Sequence, residues 1–378
     1  MEPVLKLLRE LVALPSVNPA FLPPGDAHAG ERRVADFLAA QAGVLGFDVD
    51  FQEVLPGRPN LWVRMVPRGP VRRRVVLAAH MDTVGGLEIP GGLFTPRIAK
   101  GRLYGRGSCD TKGSVAAYFT ALALLAGGAH RPQNTEIHFI GLIDEENGQA
   151  GSRALVKRKF KADLAIVGEP TLLKVVTAHK GDLWLKLKTQ GRAAHGATPE
   201  LGINAVHEMA RIVDFLETGY RRQLERHRHP LLGKPTINVG GIKGGVQPNV
   251  VPAQCTAWVD RRTIPGETES GIIRELRAAL RAQGFKAEIA STKNAPCPSL
   301  ETDFQNPLVR ELFTSAGQTK PEGVRYFCDA AILAGGGTPS VVFGPGDIAQ
   351  AHTADEWISM ASLNKSVQVL TRFLESQP

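Results

Sequence analysis

Residues able to hold a metal or move a proton recur in this chain at the ends of short apolar runs. "VVLAAH" (75–80) closes on His80, with Asp82 two positions on. "IHFIGLIDEE" (137–146) closes on Glu145 and Glu146, and "ADLAIVGEP" (162–170) on Glu169. "SVVFGPG" (340–346) opens a loop that reaches His352, and Asp110 precedes the helical stretch from Ser114 to Ala126. Singly, each has a plain structural explanation, such as a satisfied core histidine or a solvated glutamate at a helix N-cap. Jointly, unpaired carboxylates would repel one another across a cleft and cost several kcal/mol, a cost that a divalent cation removes. Two imidazoles and several carboxylates without cysteine suit zinc or a similar transition metal. So many ligands exceed one tetrahedral site with an open position. They suit a pair of ions bridged by one carboxylate.

The elements that must position these residues follow from the pattern. Each apolar run reads as a strand buried in a sheet. Helical stretches lie between them at Val34–Leu45, Ser114–Ala126 and Ser152–Lys159. Alternating strands and helices predict an α/β domain built on a layered, mostly parallel sheet. Such sheets bind ligands at the carboxyl ends of their strands, so the polar strand ends should converge on one site.

Bulk properties agree with an ordinary globular protein. At 378 residues the chain is long for one core, so two domains are expected; 43% is apolar and 22% charged. The four cysteines are too spread out for a disulfide framework. No apolar run approaches the ~20 residues that span a bilayer. "MEPVLKLLRELVALPSVNP" reads as an amphipathic helix without the apolar core of a signal peptide. A cytoplasmic protein without a membrane partner is expected. The net charge of +8 does not argue for nucleic acid, because the runs Arg72–Arg74 and Arg221–His229 lack interleaved aromatic residues. "GGG" (335–337) and "GIKGG" (241–245) lack the context of a dinucleotide-binding turn. Cys109, beside Asp110, would need a neighbouring base to act as a nucleophile, and thiol catalysis is set aside.

Between residues 179 and 292 the texture changes. "DLWLKLKTQ" alternates like a half-exposed strand. A helix from about Leu201 to Leu216 follows, then strands at "PTINVGGI" and "AQCTAWVDR", a helix from Glu267 to Gln283, and "KAEIAS". That β-α-β-β-α-β order is ferredoxin-like. It predicts a domain, 179–292, inserted into a catalytic domain made of 1–178 and 293–378. Pro-rich "KNAPCPSLE" (293–301) marks the return. "DLWLKLKTQ" is expected to be an edge strand, open to pairing with a second copy.

"AHMDTV" (79–84), "GRGSCDTKG" (105–113), "DEENG" (144–148), "VGEPT" (167–171) and "GPGDIAQAHTADEW" (344–357) resemble the motifs of one known family. It is the aminoacylase, acetylornithine deacetylase and succinyl-diaminopimelate desuccinylase family of dinuclear zinc metallohydrolases. The likeness runs nearly end to end, and includes "GRAAHGATPELGINAV" and "GGVQPNVVPAQCTAWVDRRTIPGE" in the inserted domain.

The resemblance implies a zinc-peptidase catalytic domain with an inserted lid and dimerisation domain. It also implies two divalent ions, zinc with cobalt as a substitute. Asp110 would bridge them, His80 and Glu169 would complete one shell, and Glu146 and His352 the other. Asp82 would hold the His80 ring by its far nitrogen. The residues alone leave open which adjacent glutamate is the ligand; the family assigns Glu145 as general base. By the same resemblance, His195 would reach the partner subunit's site in a homodimer and steady the oxyanion. Asn249 and Arg262 would hold polar groups of the substrate. "DRR" offers Arg261 as well, and the family's D-x-R spacing from Asp260 picks Arg262.

Family members cleave an amide next to a carboxylate. "YFCDAAIL" (326–333) and "QAH" (350–352) favour N-acetylornithine or a similar N-acyl amino acid. A dipeptidase or carboxypeptidase, or an N-succinyl-diaminopimelate desuccinylase, is the rival within the class. An inactive binding homologue would need a broken site, and the ligand set and Glu145 are all present.

Overall fold

The computed structural model describes residues 2–86, 92–128 and 130–378. The chain divides into two compact units. One is Met1–Thr177 with Thr302–Glu322 and Cys328–Pro378; the other is Ala178–Glu301 with Gly323–Phe327.

In the first unit, four parallel strands lie side by side: Thr135–Leu142, Arg73–His80, Leu164–Val167 and Ser340–Val342. Their composition explains their position. Thr135–Leu142 is buried at every residue and Arg73–His80 from Val75 onward, as strands covered on both faces must be. The sheet is therefore parallel through its centre. An antiparallel hairpin, Asp48–Leu55 and Arg58–Met65, extends it beside Thr135–Leu142. Its strands mix charges with apolar residues.

The helix Lys112–Gly127 is buried along most of its length and packs against the helices Pro3–Val12 and Met360–Glu375. Tyr118, Phe119 and Leu122 share a core with Leu8, Leu11 and Phe373. Its N-terminus sets Asp110 near the sheet's carboxyl edge, where the helix dipole favours a negative charge. A small three-stranded sheet of Arg97–Ala99, Arg102–Tyr104 and Trp357–Ser359 draws residue 356 onto the loop that precedes this helix. Among the described residues, no helix is long and apolar enough to cross a membrane.

The second unit holds an antiparallel four-stranded sheet in the order Thr236–Gly244, Gln254–Thr263, Gly181–Gln190, Glu288–Ser291. Apolar residues of the helices Ala205–Phe215 and Glu269–Ala282 join those of the strands in one core. With these helices, the chain order is β-α-β-β-α-β. The helix read from Leu201 starts at Ala205, because Asn204 Oδ1 accepts the N–H groups of Val206 and His207 at 2.9 and 3.1 Å. Leu201 belongs to a separate turn, Pro199–Leu201.

The expectation of an edge strand at "DLWLKLKTQ" is overturned. Gly181–Gln190 is hydrogen-bonded on both sides, to Gln254–Thr263 and to Glu288–Ser291. Alternation reports one open face, and a strand with one open face can still lie mid-sheet. The edges of this sheet are Thr236–Gly244 and Glu288–Ser291. This unit runs on past Lys293 to Glu301.

Candidate metal centre

The four parallel strands deliver their end residues to one place. His80 is the last residue of its strand, Glu145 and Glu146 follow Thr135–Leu142, and Glu169 follows Leu164–Val167. The loop after Ser340–Val342 brings in His352 at φ +60°, a left-handed conformation that a non-glycine residue adopts only when its surroundings hold it there. Gly168 makes the Glu169 turn possible: a Cβ there would stand 2.6 Å from the Ser114 side chain and 3.0 Å from that of Ala79.

Two groups of potential ligands result, and Asp110 belongs to both. His80, Asp110 and Glu169 form one and Asp110, Glu146 and His352 the other, with ligand atoms within 4.8 Å of one another in each. His80 Nε2 stands 3.1 Å from Asp110 Oδ1 and 3.8 Å from Glu169 Oε1. His352 Nε2 stands 3.3 Å from Asp110 Oδ2 and 3.2 Å from Glu146 Oε2. The two oxygens of Asp110 thus face two different groups.

The electrostatics call for cations. Burial pushes the Glu145 carboxyl well up, and the Glu169 charge adds to it. Burial raises Glu169 likewise, reinforced by Asp110. Burial also pushes Asp110 up, but hydrogen bonds from His352 and His80 outweigh it and hold that carboxyl below its usual range. Hydrogen bonds to Asp110 and Glu146 raise the His352 imidazole to about 10. With only protons to bind, the carboxylates draw positive charge onto the histidines. A divalent ion in each group fits the same donor set.

Asp82 is fully buried beside this centre. The nearest acceptor to His80 Nδ1 is the Asp82 backbone carbonyl, at 3.0 Å, with the carboxylate Oδ1 at 3.4 Å. Asp82 thus faces this ring chiefly through its main chain. The carboxylate is engaged elsewhere: Oδ1 accepts the Glu145 N–H and Oδ2 the Glu146 N–H, both at 3.1 Å.

Sequence reasoning missed Glu356. Its buried carboxylate accepts the N–H groups of Gly107, Cys109 and Asp110 at 3.0, 2.8 and 3.0 Å, and an Arg106 guanidinium N–H at 2.8 Å. It braces the loop that ends in Asp110. "DEW" in the last motif was the available signal, but nothing in its spacing reveals a partner 246 residues away. The Cys109 thiol donates to the Asp347 carbonyl at 3.3 Å, and burial followed by the Glu356 charge pushes its pKa far up. It stays a protonated packing group.

The remaining candidates lie in the second unit. His195 and Asn249 are neighbours on one tip of it: Val250 bridges to His195, and the Gly196 N–H donates to the Asn249 carbonyl at 2.7 Å. His195 Nδ1 accepts the Ala197 N–H at 3.1 Å. The ring proton therefore sits on Nε2, leaving an N–H donor on an exposed side chain. Arg262 stands apart, at the other end of the strand Gln254–Thr263 from the Asn249 loop, some eight residues or roughly 26 Å along. It donates to Asp260 from Nε at 3.0 Å and from Nη2 at 3.0 Å. Arg261 is the wholly buried member of the pair and is held by Glu267.

A layered α/β domain with paired His and carboxylate clusters at its strand ends defines a metal-dependent hydrolase. Comparison with known proteins narrows the class. Residues 76–376 match the model of Peptidase family M20/M25/M40, and the chain belongs to that family of metallohydrolases acting on amide bonds. It is 30% identical over 352 residues to a protein named acetylornithine deacetylase from Vibrio campbellii, covering 91% of each chain. An acetylornithine deacetylase of Vibrio vulnificus matches at 30% over 354 residues, again 91% of each. Among solved structures, an M20 family metallo-carboxypeptidase from Sulfolobus solfataricus superposes with a TM-score of 0.79 at 20% identity, over 99% of both chains. The YXEP protein of Bacillus subtilis, described as a dinuclear metal binding peptidase of the M20 family, gives 0.71 at 14% identity over 98% and 96%. These last two likenesses establish the fold.

Proposed function

We propose that this chain removes the acyl group of an N-acyl amino acid, in the manner of an acetylornithine deacetylase, with Glu145 as general base. The observation that carries the reading is the pair of ligand groups sharing Asp110, with Glu145 beside Glu146 on one turn. In this reading His80, Asp110 and Glu169 hold one divalent ion and Asp110, Glu146 and His352 the other. Zinc suits the donors, and cobalt is an acceptable substitute. Such ions, when bound, lower the pKa of water and polarise a carbonyl.

The chain's own residues do the rest. Glu145 takes a proton from the attacking water and returns it to the departing amine nitrogen. His195 Nε2–H donates to the developing oxyanion, Asn249 beside it holds a polar group of the substrate, and Arg262 offers a carboxylate the guanidinium N–H groups that Asp260 leaves. The two Vibrio relatives, "QAH" and "YFCDAAIL" support the choice of acyl group. A hydrolysis screen over acetyl, succinyl, formyl and aminoacyl amides of several amino acids tests it. Chelator-sensitive release from acetylornithine or a close analogue is expected. Preference for a dipeptide or a succinyl amide would replace the substrate, and no turnover of any of them would sink the deacylase reading.

The reading places His195 in a homodimer, acting on the partner subunit's site. The edge strand Thr236–Gly244 carries unpaired backbone groups and the half-exposed Ile242, a surface that a second copy covers. His195→Ala should lower turnover by about 100-fold, near the ~3 kcal/mol of one oxyanion donor, with metal content unchanged. Mixing it with Glu145→Gln, itself nearly inactive, should restore part of the activity. The mixed dimer holds one site with both an intact base and a donated histidine. Confirmed subunit exchange without recovered activity would rule out action across the interface.

A further inference from the structure

The turn that carries Glu145 and Glu146 is tied down from behind by residues outside both ligand groups. Asp82 Oδ2, besides accepting the Glu146 N–H, accepts Asn18 Nδ2–H at 2.8 Å. The same amide nitrogen donates its second hydrogen to Asp144 Oδ1 at 3.0 Å. Asn18 Oδ1 accepts the Ala20 N–H at 3.1 Å. That contact fixes the orientation of the amide: reversed, its oxygen would face two carboxylates.

A second tie meets the first at Asp144. Glu31 accepts two guanidinium N–H groups of Arg58, at 2.8 and 2.6 Å, and the Asp144 backbone N–H at 3.1 Å. Asn18, Glu31 and Asp82 are fully buried and Asp144 nearly so. Asp144 itself holds φ at +64°, and its carbonyl accepts the N–H groups of Gly148 and Gln149 that close the turn. One neutral amide therefore spans two buried carboxylates. It gives each of them an N–H donor, and Arg58 Nη2 adds a longer contact of 3.4 Å to the same Asp144 Oδ1.

We propose that Asn18 is a positioning residue for the hydrolysis. Its amide, backed by the Arg58–Glu31 pair, fixes Asp82 and Asp144, and through their hydrogen bonds it sets where the Glu145 carboxylate stands. The proposal rests on Glu145 being the base. A base displaced by a fraction of an ångström loses reach of its proton, so the effect falls on the chemical step rather than on substrate affinity.

The test compares Asn18→Ala with Asn18→Asp in the metal-loaded enzyme. Alanine should lower kcat roughly 10- to 100-fold, with KM within about twofold and metal content unchanged. Aspartate has the size of asparagine but turns the donor into an acceptor, so it should be at least as impaired as alanine. A space-filling role predicts the reverse order. Unchanged kcat in the alanine variant, wild-type activity in the aspartate variant, or metal content falling in step with kcat would each overturn the proposal.

If neither variant folds, the neutral pair Glu31→Gln with Arg58→Met removes the ion pair of the second tie and leaves at most the Asp144 N–H contact. It should show the same split with a smaller fall, about 3- to 10-fold, and no fall would count against the proposal. A substrate-independent readout separates this from failure of the deacylase reading. Amide hydrogen exchange at Glu145 and Glu146 should be slow in the wild type and faster in Asn18→Ala. Equal exchange in the two proteins would overturn the positioning role whatever the substrate.

Discussion

Substituting Asp110 by alanine should empty both metal positions at once and reduce hydrolysis to background. Its Oδ1 lies 3.1 Å from His80 Nε2 and its Oδ2 3.3 Å from His352 Nε2, so one side chain serves two ligand groups. Metal analysis of the wild type should approach two equivalents per chain and of Asp110→Ala none. Asp110→Asn sharpens the test, because an amide keeps one oxygen able to ligate and loses the other. It should retain at most one equivalent. The loss should also appear in stability, since ions bound only by the folded state stabilise it by mass action. An alanine variant that keeps two tightly bound metals would sink the bridging role.

The candidate site was legible in the sequence where chemistry and strand ends coincide. His80, Glu145, Glu146 and Glu169 each follow an apolar run, and those runs became adjacent parallel strands with a common carboxyl edge. Residues that act by packing left no such trace. Asn18 meets Asp82 and Asp144 across 64 and 126 residues, and Glu356 meets Asp110 across 246. Nothing about an isolated Asn or Glu announces a partner at that distance.

Strand order was hidden for a related reason. The alternation in "DLWLKLKTQ" reports one open face and is silent on what pairs along the edges, so an interior strand passed for an edge. The double arginine was ambiguous until register decided it. Arg261 faces the helix-covered side and is wholly buried, whereas Arg262 pairs with Asp260 on the open face. Local pattern thus carries burial and periodicity, while the contacts that orient catalytic groups come from long-range folding.

The adjacent glutamates give the sharpest separation of roles. Glu145→Gln should keep both metals and substrate affinity while lowering kcat by roughly 100-fold or more, the usual scale for a general base. The substitution keeps the shape but exchanges one acceptor oxygen for an NH2 donor and removes the charge, so the side chain can no longer take the proton. Glu146→Gln should instead weaken the ion held with Asp110 and His352, because the Glu146 carboxylate stands 3.2 Å from His352 Nε2 on that side of the centre. Its activity should recover in part when metal is supplied in excess, whereas that of Glu145→Gln should not. Metal titration of the two variants, followed by kinetics at saturating metal, distinguishes them. Both backbone N–H groups donate to the same Asp82 carboxylate, so the two residues share one fixed turn. If Glu145→Gln lost metal and Glu146→Gln kept it with kcat destroyed, the order of base and ligand would be reversed, while the shared role of Asp110 would stand.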